Sequence, residues 1–338
     1  MPPLQQRFSK VDYPVHLAAM WQKAIAQRDE NAPTVVSTFA GGGGSLTGYM
    51  MAGFNDLLAV EWDKNAVETL RLNWPDLDIY HGDIAKISVD DILKRTGLAV
   101  GELDILDGSP PCQGFSTAGK RVMDDPRNQL FQEFNRLLRG LQPKVFVMEN
   151  VSGMVKGKMK LLFVDILKEL KASGYDVSAR LLNAKYFHVP QSRQRLIFIG
   201  VRNDLGIKPS HPKAESLPIP LISICPDALS SKSQQINPEI PSSRCYPTIQ
   251  KIPFLRKTIL TRDGRREPTK VELAQIGSFP IEYNFAGASN QYWTRIGNSV
   301  PPLFMEAIAR HIKNEILAKT AVSFIQADTA DTQEAATK

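Results

Sequence analysis

A doubly wound α/β fold with a mostly parallel sheet is what this sequence predicts, and two observations predict it. From Pro33 to Gly200, short β-branched apolar runs alternate with longer segments of helical period, the pattern of strands crossed over by helices. A glycine-rich turn, residues 39–45, stands between the first such run and a helical segment, where an open sheet binds ligand. The strand runs are residues 34–39, 57–60, 103–106, 145–148, 177–182 and 196–201. Between them, residues 65–72, 129–138 and 160–171 carry apolar side chains at i, i+3 and i+4, as crossover helices require. From Asp204 to about Arg262 the texture changes to Pro and Ser without period, followed by the basic cluster Arg256, Lys257, Arg262, Arg265 and Arg266. Regular segments return at 268–276 and at 302–317. The predicted division is an N-terminal extension (1–33), a catalytic domain (34–203 and 268–319), a small irregular domain (204–267) and a disordered tail (320–338).

Composition excludes several classes. With 338 residues, 43% hydrophobic and 22% charged, the chain has the makeup of a soluble protein, and no apolar run approaches the roughly 20 residues that span a bilayer. Residues 1–10 show no apolar signal core, so a cytoplasmic location is expected. Cys112, Cys225 and Cys245 are odd in number and lack CxxC spacing, which argues against a disulfide framework and against a metal site. A net charge of +6 suits a polyanionic partner without demanding one.

Four local patterns carry chemistry. In Phe39-Ala40-Gly41-Gly42-Gly43-Gly44-Ser45, glycines let backbone approach a ligand, and Glu61 follows Gly41 by 20 positions at the end of the second strand, where a carboxylate can accept ribose hydroxyls. The GxGxxG spacing of pyrophosphate binders fails here, which disfavours NAD and FAD. Asp83, in His81-Gly82-Asp83-Ile84, suits an adenine amino group, or it is simply a cap. Cys112, in Gly108-Ser109-Pro110-Pro111-Cys112-Gln113-Gly114-Phe115-Ser116, follows the fourth strand in a polar, Pro/Gly-framed loop, a setting for a nucleophile more than for a buried hydrophobe. Glu149 ends the apolar run 145–148 and becomes a candidate acid beside that cysteine. Arg193 and Arg195 alternate on entry to a strand, so both should face one side.

Together these residues resemble the cytosine-5 DNA methyltransferase family over about residues 34 to 312. Residues 39–44 match its FxGxGG motif, 110–116 its PPCQGFS, 149–151 its ENV and 191–195 its QxRxR; Arg265 to Pro280 resembles the segment after the recognition domain, and 297–302 match GNSVPP. The resemblance implies a class I, Rossmann-like methyltransferase domain with 204–267 as target-recognition domain. It implies S-adenosylmethionine as cofactor, bound by Phe39, Gly41, Gly43, Gly44, Glu61, Trp62, Asp83, Ile84, Ser109, Pro110, Asn298 and Val300. It implies that Cys112 adds to carbon 6 of an extruded cytosine, that Glu149 engages ring nitrogen 3, and that Arg195, assisted by Arg193, holds the base's carbonyl oxygen. Duplex DNA is the implied partner, with Gln113, Ser116, Gln191, Arg256, Lys257 and Arg262 as contacts; a separate cognate restriction endonuclease and a monomeric state are further expectations.

The sequence departs from the family at His188, where glycine is common, and in a short recognition region. A tRNA cytosine-5 methyltransferase is the nearest alternative, although the Cys-Phe-Thr segment of RNA-directed relatives is missing. A zinc deaminase would need PCxxC, and Phe115 stands where the second cysteine would be. A non-catalytic nucleic-acid-binding relative is disfavoured because Cys112, Glu149 and both arginines are intact.

Overall fold

The six β-branched runs, joined by a further strand at residues 78–81, pair into one seven-stranded sheet in a computed structural model that describes residues 13–26, 29, 31–111, 129–157, 159–229, 244–249 and 258–320. Its strands are β1 (Thr34–Thr38), β2 (Asn55–Glu61), β3 (Asp78–His81), β4 (Ile105–Gly108), β5 (Val145–Val151), β6 (Tyr175–Asn183) and β8 (Gln194–Arg202), with β7 (Gln191–Ser192) standing apart. Their order is β3-β2-β1-β4-β5-β8-β6. Strands β3 to β5 are mutually parallel, and β8 alone runs antiparallel, to β5 and to β6. The order reverses direction between β1 and β4, where Thr38 lies opposite Gly108. Ligands of open α/β sheets bind at such a switch point, beyond the carboxyl ends of the strands.

Alternation along the strands fills two cores, one on each face. Val35 belongs to one and Val36 to the other. The helices are α1 (Tyr13–Ala26), α2 (Gly44–Met51), α3 (Lys64–Asn73), α4 (Val89–Thr96), α5 (Gln129–Leu141), α6 (Met159–Ala172), α7 (Lys270–Ile276), α8 (Ser289–Asn298) and α9 (Pro302–Ile312), the last continued by a π-helical turn, Lys313–Leu317. On one face, α5 buries Phe131, Phe134, Leu137, Leu138 and Leu141. On the other, α1, α2 and α9 pack with apolar residues of the 204–267 region. Helix α4, without a sequence prediction, has clear end signals: a Ser88/Asp91 capping box and Gly97 at φ 72° after its last turn.

The described residues of the 204–267 region form little regular structure and no separate core. Leu205, Leu221, Cys225, Tyr246 and Ile259 are continuous with the core that covers β5 and β8. Its regular pieces are β9 (Tyr246–Pro247), parallel to β7, and the hairpin β10 (Ile259–Thr261) with β11 (Gly264–Arg266). Arg266 forks between Asp227 (2.6 Å) and Glu272 (2.7 Å), tying the hairpin to α7. Of the expected disordered tail, 320–338, Thr320 is buried and donates to the Leu317 carbonyl at 2.7 Å, and 321–338 lie outside the described residues. No helix among the described residues is long and apolar enough to cross a membrane.

Candidate active site

The glycine turn is built by close packing. Phe39 and Gly41 both take positive φ, 54°, which turns the chain sharply off β1. A Cβ on Gly44 would lie 2.1 Å from the Val300 carbonyl oxygen, and one on Gly42 would lie 3.3 Å from Ser299 Oγ, so the turn seats directly on residues 299–300. Two motifs some 250 positions apart thereby form one surface. Over Gly41 the space is open: a Cβ there would meet only the Phe39 carbonyl, at 3.8 Å.

Beside that opening, the Glu61 carboxylate accepts the N–H groups of Gly41 (2.7 Å), Trp62 (2.9 Å) and Asp63 (2.8 Å). Burial raises its pKa, and the three N–H bonds oppose the rise. Two of these bonds fall on Oε1 and one on Oε2, so Oε2 keeps a lone pair for a hydroxyl donor. Trp62 is 78% exposed at the rim, free to cover an aromatic ring. Asp83 is exposed and caps the short helix Ile84–Lys86 by accepting from Ala85 N–H, while Ile84 is buried. These groups fit a nucleoside: an open backbone cradle, a ribose acceptor and an exposed indole.

The second half of the site lies at the ends of β4, β5 and β8. Glu149 is 8% exposed and pairs with Arg195, Nε to Oε1 at 2.6 Å. Next to it, Asn150 donates to the Pro110 carbonyl at 3.2 Å, fixing the chain two residues before Cys112. Ser109 is half-buried and Pro110 buried. Cys112, Gln113, Ser116, Arg256 and Lys257 lie outside the described residues. The other two cysteines are poor nucleophiles, since burial pushes both thiols above their ordinary pKa.

Arg193 and Arg195 differ in burial and in partners. Arg193 stands between β7, which pairs with β9, and β8, which joins the main sheet. Arg193 is 1% exposed and donates to the carbonyls of Gly297 (2.8 Å), Asn298 (3.4 Å) and Ile249 (3.5 Å). Burial lowers its pKa to about 9, with Arg195 adding to the effect. These bonds tie three segments together beside the Glu149–Arg195 pair. Gln191 is also buried; it donates to the Ile276 carbonyl (3.4 Å) and accepts from Ile249 N–H (3.2 Å). Asn298 is exposed and Val300 buried beside the glycine turn; Arg262 is exposed at the tip of the β10–β11 hairpin. His188 holds φ 58°, the conformation a glycine adopts without strain, and its N–H is taken by Ser216.

The profile of the C-5 cytosine-specific DNA methylases matches residues 34–240 and 225–314, most of the chain and all of this geometry. The chain belongs to that family. This methylase is 33% identical over 324 residues to type II methyltransferase M1.HphI of Haemophilus parahaemolyticus, covering 82% of this chain and 86% of the relative. It is 30% identical over 351 residues to type II methyltransferase M.Sau96I of Staphylococcus aureus, covering 88% and 79%. A crystal structure of a prophage-encoded DNA modification methyltransferase from Escherichia coli shares its fold at TM-score 0.71 and 22% identity, over 84% of this chain and 99% of that one. The methylase is a DNA (cytosine-5-)-methyltransferase.

Sequence reading missed Asp107. It is 2% exposed on β4, accepts from Tyr49 Oη at 3.2 Å, and lies under the site. Burial pushes its pKa up to about 7; the Tyr49 hydrogen bond opposes this, and the Glu149 charge adds to it. A folded-state pKa above the unfolded one means that the neutral acid stabilises the fold below about pH 4, and that this contribution is lost as pH rises through about 7. Asp107→Asn should therefore gain thermal stability relative to wild type on going from pH 5 to pH 8. Melting curves of the two proteins that stay parallel across that range would refute the assignment.

Proposed function

We propose that this methylase takes its methyl group from S-adenosylmethionine and modifies cytosine in duplex DNA through a covalent intermediate on Cys112. The observation that carries the reading is the Glu149–Arg195 pair, 2.6 Å apart, beside a Pro110 carbonyl pinned by Asn150. Acid and cation lie at the paired ends of β5 and β8, next to β4, whose end leads into the nucleophile-bearing segment. The glycine cradle, Glu61, Trp62 and Asp83 fit the nucleoside half of the cofactor, with Phe39, Ile84, Ser109, Pro110, Asn298 and Val300 completing the pocket. When bound, the cofactor supplies an electrophilic methyl group on a sulfonium.

The protein's own task is to make carbon 5 of cytosine nucleophilic. Addition of the Cys112 thiolate at carbon 6 breaks the aromatic ring and moves electron density onto carbon 5. Glu149 engages ring nitrogen 3, and Arg195 balances charge building on the neighbouring carbonyl oxygen. After carbon 5 is methylated, its proton leaves to a base and the thiolate departs, restoring aromaticity. A stacked base cannot reach such a site, so the cytosine must be rotated out, at a cost of a few kcal/mol that phosphate contacts help offset.

The type II methyltransferases named above support reading this chain as a modification enzyme with a restriction endonuclease as a separate protein, and the chain is read as a monomer. The 204–267 segment would act as the target-recognition region. The test offers labelled S-adenosylmethionine with duplex DNA or with tRNA. Label recovered as 5-methylcytosine in DNA is expected; label in tRNA alone would favour the RNA reading. The Michaelis constant for DNA should also rise steeply between about 50 and 200 mM salt, because Arg262 and its basic neighbours displace counterions from phosphates. A flat salt response would remove those residues from the interface.

A further inference from the structure

We propose that Trp21, on a helix that precedes the family match, is a positioning residue for the cofactor, holding the glycine turn and the Glu61 edge of the pocket in register through Tyr283 and Trp74. The proposal rests on the cofactor reading above. Helix α1 lies before residue 34, where the family profile begins, yet Trp21 is only 4% exposed. Its indole packs on Trp74, with ring centroids 4.8 Å apart, and meets Tyr283 edge-on at 5.7 Å. Each neighbour leads to one side of the pocket.

Tyr283 leads to the turn. It is 5% exposed, and its hydroxyl donates to the Gly42 carbonyl at 2.8 Å. The same oxygen would lie 2.2 Å from a Cβ on Gly43, so the ring fills the space that this glycine leaves. Trp74 leads to the other side: it terminates α3, its N–H donating to Leu70, and α3 begins immediately after Glu61 and Trp62. The Tyr283 segment is also laced to α3, since Asn284 and Asn73 exchange two hydrogen bonds (2.7 and 2.8 Å) and Ala286 N–H reaches Thr69 Oγ1 at 3.0 Å.

Trp21 thus packs against both arms of this frame from behind, where no ligand reaches. A binding pocket gains affinity when its groups are held in the bound geometry before the ligand arrives. Removing the indole frees the turn to shift against Glu61 while leaving every ligand-contacting residue unsubstituted. If Trp21 were only a core residue, its loss would lower stability, and the molecules that remain folded would bind as before.

The experiment titrates S-adenosylmethionine and its demethylated product, S-adenosylhomocysteine, into the full chain by calorimetry, alongside melting curves without ligand. Trp21→Ala should weaken both ligands about five- to tenfold, the loss of two aromatic contacts expressed as affinity, and Trp21→Phe about twofold. Tyr283→Phe should weaken them about fivefold through its lost hydrogen bond. The Trp21→Ala, Tyr283→Phe double variant should fall short of the sum, because both act on one frame. The Michaelis constant for cofactor should rise, with the saturated rate and the constant for DNA retained. Should Trp21→Ala fail to fold, Trp21→Phe and Tyr283→Phe decide the matter. Wild-type affinity in both, or in a folded Trp21→Ala that merely melts earlier, overturns the proposal. A wild-type chain that binds neither ligand sinks the cofactor reading, and this proposal with it.

Discussion

Cys112→Ala is expected to abolish methyl transfer, by about 10⁴-fold or more, while leaving cofactor affinity near that of the wild type. Cytosine carbon 5 is scarcely nucleophilic in the neutral ring, and no other group can replace a thiolate that adds at carbon 6. Cys225 and Cys245 cannot stand in: burial raises both thiols, and Cys225 is fully enclosed in the core. The substitution should spare the cofactor pocket, because that pocket is built by the glycine turn, Glu61 and residues 299–300. The framework that leads to residue 112 is also independent of the thiol. A Cβ on Gly108 would collide with Thr38 Oγ1 at 2.5 Å and Phe134 at 2.7 Å, so the end of β4 is tightly seated, and Asn150 holds Pro110. Duplex DNA carrying 5-fluorocytosine gives a second readout. It should form a denaturant-stable adduct with wild type in the presence of cofactor and none with the variant. Turnover by Cys112→Ala within tenfold of wild type would remove the nucleophile from the scheme.

What was legible in the sequence was what local patterns encode. Six of the seven strands of the main sheet followed from β-branched runs, β3 having none, and α3, α5 and α6 followed from helical spacing. The glycine turn and Glu61 stood out because a 20-residue spacing is fixed by one strand–helix–strand unit, and the structure joins them by a 2.7 Å hydrogen bond. Long-range ties were invisible. Gln191 and Arg193 read as DNA- and base-facing groups, and nothing local showed that they also satisfy carbonyls of residues 249, 276, 297 and 298. A period of two cannot report that the strand breaks between β7 and β8. Asp107 reads as an ordinary strand-end carboxylate, and only packing shows it enclosed beneath Tyr49. Helix α1 did carry a signal, Tyr13, Leu17 and Trp21 at four-residue spacing, but its partners Trp74 and Tyr283 lie up to 262 positions away.

Glu149→Gln separates two roles that the carboxyl could play toward ring nitrogen 3. Glutamine has nearly the same shape and its amide can donate a hydrogen bond, but it cannot deliver a proton. If proton transfer accompanies thiolate addition, the rate at saturating substrates should fall about 10²- to 10⁴-fold, the range that general acid catalysis contributes. If hydrogen bonding suffices, most activity survives. The 2.6 Å bond from Arg195 holds the carboxyl in one orientation. The same bond predicts a side effect. Both side chains are nearly buried, at 13% and 11% exposure, so the neutral amide leaves Arg195 without its counter-charge and the melting temperature should drop by a few degrees. A calorimetric titration of cofactor separates this loss from the catalytic one: affinity should hold, because Glu149 takes no part in the glycine cradle. A variant of wild-type rate would show that nitrogen 3 needs no proton from this residue and would leave Arg195 as the principal stabiliser of charge on the ring.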